Sequence, residues 1–427
     1  MSADTIRTVR GRRVWDSRGR PTVEVEITTA SGTWGRAIAP AGASRGSNEA
    51  IDLRDGGAAF GGLGVSRALD SVAEVIAPAL GGMQATDQAG IDARLIALDG
   101  TGNKAHLGGN AVIAASMAVA HAAAAARGEP LWRWLAAGAT PRLPMPMIQI
   151  FGGGAHASGR IDLQDILVIP VGAESFDEAT VMVAETYRAA GEIMAERGGL
   201  RGVADEGGWW PEFTSNEEAL ERTVQAIERA GYRPLEDLGI ALDVAASQFG
   251  AGGRYRLATD DREMDTAGMV AHLTGWCDRY PIISLEDPVG EDDAEGMRAI
   301  TAALGGRIQI IGDDYLVTSA ARVTEAAASS ACNAVLVKPN QVGTLTEARA
   351  ALDAAHAAGW RTVVSARSGE TEDVTIVHLA AGWRAHQLKV GSFARSERMA
   401  KWNEAIRLEE ALGADATFAG RDAVGGR

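Results

Sequence analysis

The 427-residue chain is predicted to be an α/β protein, with a C-terminal barrel of alternating strands and helices behind a smaller α+β unit. Three observations carry that prediction. An early segment alternates with the period of a strand, a proline-rich stretch then interrupts the chain, and later apolar runs end in polar residues at a regular pitch.

The alternation comes first in the chain. In RPTVEVEITTASG, Val23, Val25 and Ile27 share one face while Glu24, Glu26 and Thr28 share the other, which predicts an antiparallel hairpin or meander. From about Ser66 to Leu135 the pattern turns helical and Ala-rich. Its most apolar part, Ala111 to Gly128, is too short to span a bilayer comfortably and contains His121, so a close-packed helix is expected and no membrane partner. The prolines of GATPRLPMP (Gly138 to Pro146) then place the domain boundary, giving units 1–138 and 139–427.

Beyond the boundary, the strand-like runs GIALDVAAS, PIISLEDPV, IQIIGDDYL, NAVLVKPNQ, RTVVSARSG and HQLKVGS alternate mostly with helical stretches. Their polar residues Glu286, Asp313, Lys338, Ser365 and Lys389 are spaced by 27, 25, 27 and 24 residues. That is the pitch of a closed parallel βα barrel, whose active site forms at the C-terminal ends of the strands. An open doubly wound sheet is the alternative, but no G-x-G-x-x-G joins a strand to a helix and there is no P-loop. FGGGAHASG reads as a flexible loop.

A formal charge of -15 without basic runs argues against nucleic acid as the main partner, while leaving small anions open. Two cysteines make no disulfide framework, and the polar start MSADTIRTVRGRR lacks the apolar core of a secretory signal, so the cytoplasm is expected. Of 41 basic residues only Lys104, Lys338, Lys389 and Lys401 are lysines. Arginine keeps its proton, so a site that needs an amine able to lose one must retain lysine. Lys104 and Lys401 read as ordinary cations; Lys338 and Lys389 end strands.

Asp243, Glu286 and Asp313 end three strand-like runs, and carboxylates gathered at one mouth repel unless a cation joins them. All-oxygen ligands suit Mg²⁺. The competing reading is that each caps a helix or pairs with an arginine. Lys338 and Lys389 would face the same mouth, one as a base and one as a carboxylate-binding cation, or both merely salt-bridged to the acids.

The stretches DSRGRPTVEVE, PAGASRGSNEA, LGGNAV, GGGAHASG, DEGGWWP, SLEDPVGEDD, GDDYLVT, VLVKPNQVGTLTE, SARSGETED, QLKVG and RSERMAKWNE together resemble enolase along essentially the whole chain. The resemblance implies an enolase-type (β/α)8 barrel with an N-terminal α+β capping domain, dehydration of a 2-phosphoglycerate-like acid, and a homodimer or larger ring. A lysine base used with Mg²⁺ is a known property of that superfamily. Motif by motif, it implies that Asp243, Glu286 and Asp313 hold a first Mg²⁺, and that Ser44 helps bind a second with the substrate. Lys338 would be the base and Glu206 the general acid, with Asp165 beside it where a glutamate is usual. Lys389 would grip the substrate carboxylate, Arg367 and Ser368 the phosphoryl group, and His156 and Gln164 would close over the substrate.

Departures from the pattern sit around the expected substrate. Ala366 replaces a histidine, Ala41 a serine and Arg45 a threonine, while Trp209 and Trp210 follow DEGG where smaller groups are typical and Phe393 lies just after KVGS. With the acid, base and metal groups retained, the combination of new space at Ala366 and a new cation at Arg45 resembles the carboxyphosphonoenolpyruvate synthases of phosphinate pathways. The expectation is therefore an enolase-like hydro-lyase acting on a carboxyphosphono analogue. Ordinary enolase is the first alternative, and a non-catalytic enolase-like binding protein the second.

Overall fold

A computed structural model describes residues 2–43, 45–199 and 202–425. Strands β1 (Ile6–Trp15), β2 (Pro21–Thr29) and β3 (Trp34–Ile38) form an antiparallel meander, with Val23, Val25 and Ile27 of β2 fully buried. They are buried beneath the helix Gly109–Arg127, which packs across β2 and β3. Close approach is built in at Gly35, where a Cβ would come 2.2 Å from the backbone nitrogen of Ala122. The helix is long and apolar enough to cross a membrane by composition, but 83% of its apolar window is buried inside the protein.

Eight strands close the barrel: β4 (Met145–Gly152), β5 (Asp165–Ile169), β6 (Gly239–Asp243), β10 (Ile282–Glu286), β11 (Gln309–Gly312), β12 (Ala334–Val337), β13 (Arg361–Ser365) and β14 (Gln387–Ser392). Between β6 and β10 a small antiparallel sheet is inserted, made of β7 (Gly250–Ala251), β8 (Arg254–Leu257) and β9 (Arg262–Asp265). Helices on the outside start on side-chain caps: Ser175, Ser215, Asp265, Asp293, Ser319 and Thr344 each accept a backbone N–H from the first turn.

The barrel departs from the all-parallel expectation at one strand. β5 runs antiparallel to both β4 and β6. The reason is the connection: β4 returns to β5 through a short loop holding one 3₁₀ turn, Gly154–Ala157, whereas a parallel neighbour would need a helical crossover. The consequence is functional. In an antiparallel strand the N-terminal end faces the mouth, so Asp165, the first residue of β5, lies in register beside Asp243, the last of β6. FGGGAHASG, read as a flexible loop, instead buries His156 in that 3₁₀ turn.

Candidate active site

The carboxylates converge because their strands do. Asp243 and Glu286 close β6 and β10, and Asp313 follows β11 directly; all three are buried. Lys389, inside β14, reaches across the mouth, its Nζ donating to Asp243 Oδ2 and Glu286 Oε2 at 2.7 Å each and standing 3.7 Å from Asp165 Oδ2. Lys338 follows β12 and donates to Asp313 Oδ2 at 2.5 Å. Gln341 Nε2 donates to Asp313 Oδ1 at 2.9 Å, and Gln164 Nε2 to Asp243 Oδ2 at 2.8 Å. Both lysines thus make salt bridges to the acids, and the three acids bind cations rather than capping helices.

Charge in this cluster is unbalanced. Burial pushes the Glu286 carboxyl well above the usual range, and repulsion from Asp243 adds to it. Burial opposes the charge on Lys389, but Asp243, Glu286 and Asp165 outweigh it and hold the ammonium well above its ordinary value. Lys338 is likewise held up, burial being outweighed chiefly by Asp313. The lowered lysine pKa expected of a base is therefore not produced by the protein groups alone. Glu286 Oε1 is buried without a hydrogen-bond partner. An unpartnered buried carboxylate oxygen, beside two further acids and with oxygen donors throughout, fits a hard divalent cation such as Mg²⁺.

A second group forms around the β4–β5 loop. His156 Nδ1 lies 2.9 Å from Asp165 Oδ1 and its Nε2 3.7 Å from Glu206 Oε1. Gln149 links this pair to the DEGG turn, donating to Asp165 through Nε2 while its Oε1 accepts from Gly208 N at 2.7 Å. Burial opposes charge on His156, yet Asp165 and Glu206 raise its pKa from 6.5 to about 9. The Asp165 carboxyl, penalised by burial, is nonetheless drawn down from 3.8 to about 2 by His156 and Lys389.

The sign of the pH dependence follows. The stability owed to charged His156 is complete below its ordinary value of 6.5 and is lost as pH rises through about 9. That owed to Asp165 is present above 3.8 and is lost as pH falls towards about 2. An NMR titration of the His156 ring is expected to show a midpoint near 9; a midpoint at its ordinary value would break the assignment.

Arg367 and Ser368 follow β13. The Arg367 guanidinium grips Glu49 through two nitrogens at 2.9 and 3.2 Å and donates to Asn340 Oδ1 at 3.1 Å. Ser368 Oγ accepts from Arg18 at 3.2 Å. Fully buried Arg398 fixes this turn, donating to the carbonyls of Arg367 (2.7 Å), Val390 (2.8 Å) and Ser368 (2.5 Å). Together with Ala366, Lys338, Lys389, Glu206, His156, Gln164, Asp165 and Asp243, Arg367 and Ser368 line one cavity.

Other sequence expectations fare differently. Ser44 lies outside the described residues. Arg45 is exposed and does not line the cavity that Ala366 lines, so the paired change of new space and new cation has no geometric basis. Trp209 does not line it either; it stacks on Tyr187 with ring centroids 4.7 Å apart, and Trp210 lies under Arg160. Lys104 and Lys401 are buried cations, each 3.0 Å from a glutamate, Glu347 and Glu370. Glu49, Gln149, Gln341 and Arg398 were given no role from sequence. Glu49 and Arg398 sit within PAGASRGSNEA and RSERMAKWNE, but Glu49 meets Arg367 318 residues away, and Arg398 meets the carbonyls of Arg367 and Ser368 31 and 30 residues away.

A barrel whose mouth combines acids, two lysines and an arginine-serine pair defines a metal-assisted hydro-lyase of small anionic acids. Comparison with known proteins identifies the family. Residues 6–135 match the family model described as "Enolase, N-terminal domain", and residues 140–425 that described as "Enolase, C-terminal TIM barrel domain". Enolase 1 of Desulfitobacterium hafniense (strain Y51) is 50% identical over 421 residues, covering 98% of this chain and 96% of the relative. The enolase of Rubrobacter xylanophilus is 48% identical over 423 residues, covering 99% and 98%. The chain belongs to the enolase family. These full-length relatives overturn the carboxyphosphono reading: they carry the name enolase, and they support the ordinary activity that stood as its alternative. Single departures such as Ala366 were given too much weight, because a side chain's identity was read without its surroundings.

Proposed function

We propose that the protein is an enolase in the ordinary sense, removing water from 2-phosphoglycerate to give phosphoenolpyruvate. The observation that supports this most is the single cavity shared by Lys338, Glu206, Lys389 and Arg367. A substrate held there has an amine for its α-proton, a carboxyl for its departing hydroxyl, and cations for its two anionic ends. Lys338 takes the α-proton and Glu206 delivers a proton to the leaving hydroxyl, so that one water is lost overall. Lys389 binds the carboxylate; Arg367 and Ser368 bind the phosphoryl oxygens. His156, oriented by Asp165, closes over the substrate with Gln164. Asp243, Glu286 and Asp313 would hold Mg²⁺, with Ser44 serving a second ion. Bound there, the metal would supply positive charge where the substrate carboxylate gains electron density.

We take the capping unit as residues 1–138 and the barrel unit as 139–427, and assign a cytoplasmic homo-oligomer. Incubation with 2-phosphoglycerate and Mg²⁺, followed by phosphorus NMR, is expected to show conversion to phosphoenolpyruvate that stops on chelation and returns with added Mg²⁺. An unchanged 2-phosphoglycerate signal would sink the proposal.

A further inference from the structure

The barrel carries a second concentration of cationic groups at the opposite end from the catalytic mouth. Arg361 opens β13, whose last residue, Ser365, lines the catalytic cavity; His386 immediately precedes β14, which carries Lys389. At about 3.3 Å per residue, Arg361 and Ser365 are about 13 Å apart along the strand. Arg361, Arg142, Arg349, Arg384, His356 and His386 share a pocket of about 360 Å³, with Trp360 and Trp383 in its wall. That volume is enough for a small ligand.

Acids offset the charge of this cluster only in part: Asp422 acts on Arg142, but Arg384 and Arg361 act on it more strongly. Arg349 pairs with Asp353 at 2.8 Å. Arg361, Arg142 and Arg384 instead donate to backbone carbonyls, those of Asp422 (2.7 Å), Arg384 (2.9 Å) and Thr140 (3.1 Å). Carbonyls orient a guanidinium and leave its charge in place. Arg142 Nε is buried without a hydrogen-bond partner. His356 and His386 stand edge to face at 5.3 Å and share Thr362: its hydroxyl lies 3.3 Å from His356 Nε2 and 3.1 Å from His386 Nδ1, and its amide donates to His386 Nδ1 at 3.2 Å. Burial, then Arg142 and Arg361, lower the His386 pKa from 6.5 to about 3, and burial lowers that of His356 although Asp353 opposes it.

We propose that this basal pocket is a binding site for a small multiply charged phosphate anion, held by Arg142, Arg361 and Arg384 and separate from the catalytic cavity. Planar guanidinium groups match phosphate oxygens in bidentate fashion, and a dianion or trianion would relieve the repulsion among the three. The site is independent of the proposed catalytic activity.

Inorganic pyrophosphate is the probe, titrated into the full chain without Mg²⁺ and followed by calorimetry and by NMR of the histidine rings. Binding is expected to move the His356 and His386 signals, and Arg361→Gln is expected to weaken it about tenfold or more with turnover of 2-phosphoglycerate unchanged. Should Arg361→Gln fail to fold, Arg349→Gln, on a half-exposed side chain, tests the same field. Movement of His156 alone, equal affinity in a folded variant, or an equal response to sodium chloride at matched ionic strength would overturn the proposal.

Discussion

Lys338→Ala is expected to eliminate exchange of the α-proton of 2-phosphoglycerate with deuterium oxide, and to lower turnover by about 10³- to 10⁴-fold, the upper part of the range for a positioned acid or base. Geometry makes the substitution specific. Lys338 lines the cavity and its ammonium donates to Asp313, which retains Gln341 as a hydrogen-bond donor when the lysine is gone. The loss should therefore appear in the chemical step with little change in fold. Glu206→Gln is the contrast. It leaves the amine in place, so exchange should survive while release of the hydroxyl fails. Exchange persisting in Lys338→Ala would transfer the role of base to another group.

To act as the proposed base, Lys338 must lose a proton that Asp313 favours keeping. Such a pairing keeps the amine oriented and charged. The same logic applies to Glu286, whose unpartnered oxygen and raised pKa describe a carboxylate short of positive charge.

What the sequence made legible depended on how local the determinant was. The pitch of the later strand ends marked the barrel, because Asp243 and Glu286 close their strands, Asp313 and Lys338 directly follow theirs, and Lys389 lies within the last. β4 and β5 went unread as strands: Pro146 lies inside β4, and prolines had been taken there as a break. With them went the antiparallel direction of β5, whose connection from β4 holds a 3₁₀ turn in place of a crossover helix and which no residue pattern announces. Arg45 was misread for a related reason. Its place in the loop was plain, whereas its exposure depends on how the loop packs against the barrel.

The contact that sequence reasoning missed most completely is the one between Glu49 and Arg367, and it supports the other large expectation. Glu49 holds the guanidinium through both oxygens, accepts from Gly46 N at 3.0 Å and lies 3.3 Å from Gln341 Nε2. It thereby ties the AGASRGS loop to Arg367, the arginine proposed to bind the phosphoryl group. Both side chains are almost wholly buried, at 4% and 3% exposure. Glu49→Gln keeps the shape but leaves a buried cation short of its counter-charge, a loss of about 3–5 kcal/mol for a broken buried pair. Denaturant unfolding should register that loss directly. If the cost arises from the uncompensated guanidinium, 2-phosphoglycerate added without Mg²⁺ should stabilise Glu49→Gln more than the unmodified protein, since its phosphoryl group replaces the missing charge. Replacing both partners, in Glu49→Gln with Arg367→Met, should recover part of the stability while abolishing that ligand response. Equal stability of Glu49→Gln and the unmodified protein would mean that the guanidinium is neutralised from elsewhere in the cluster, with Asp313 and Asp314, whose fields also act on Arg367, as the remaining acids.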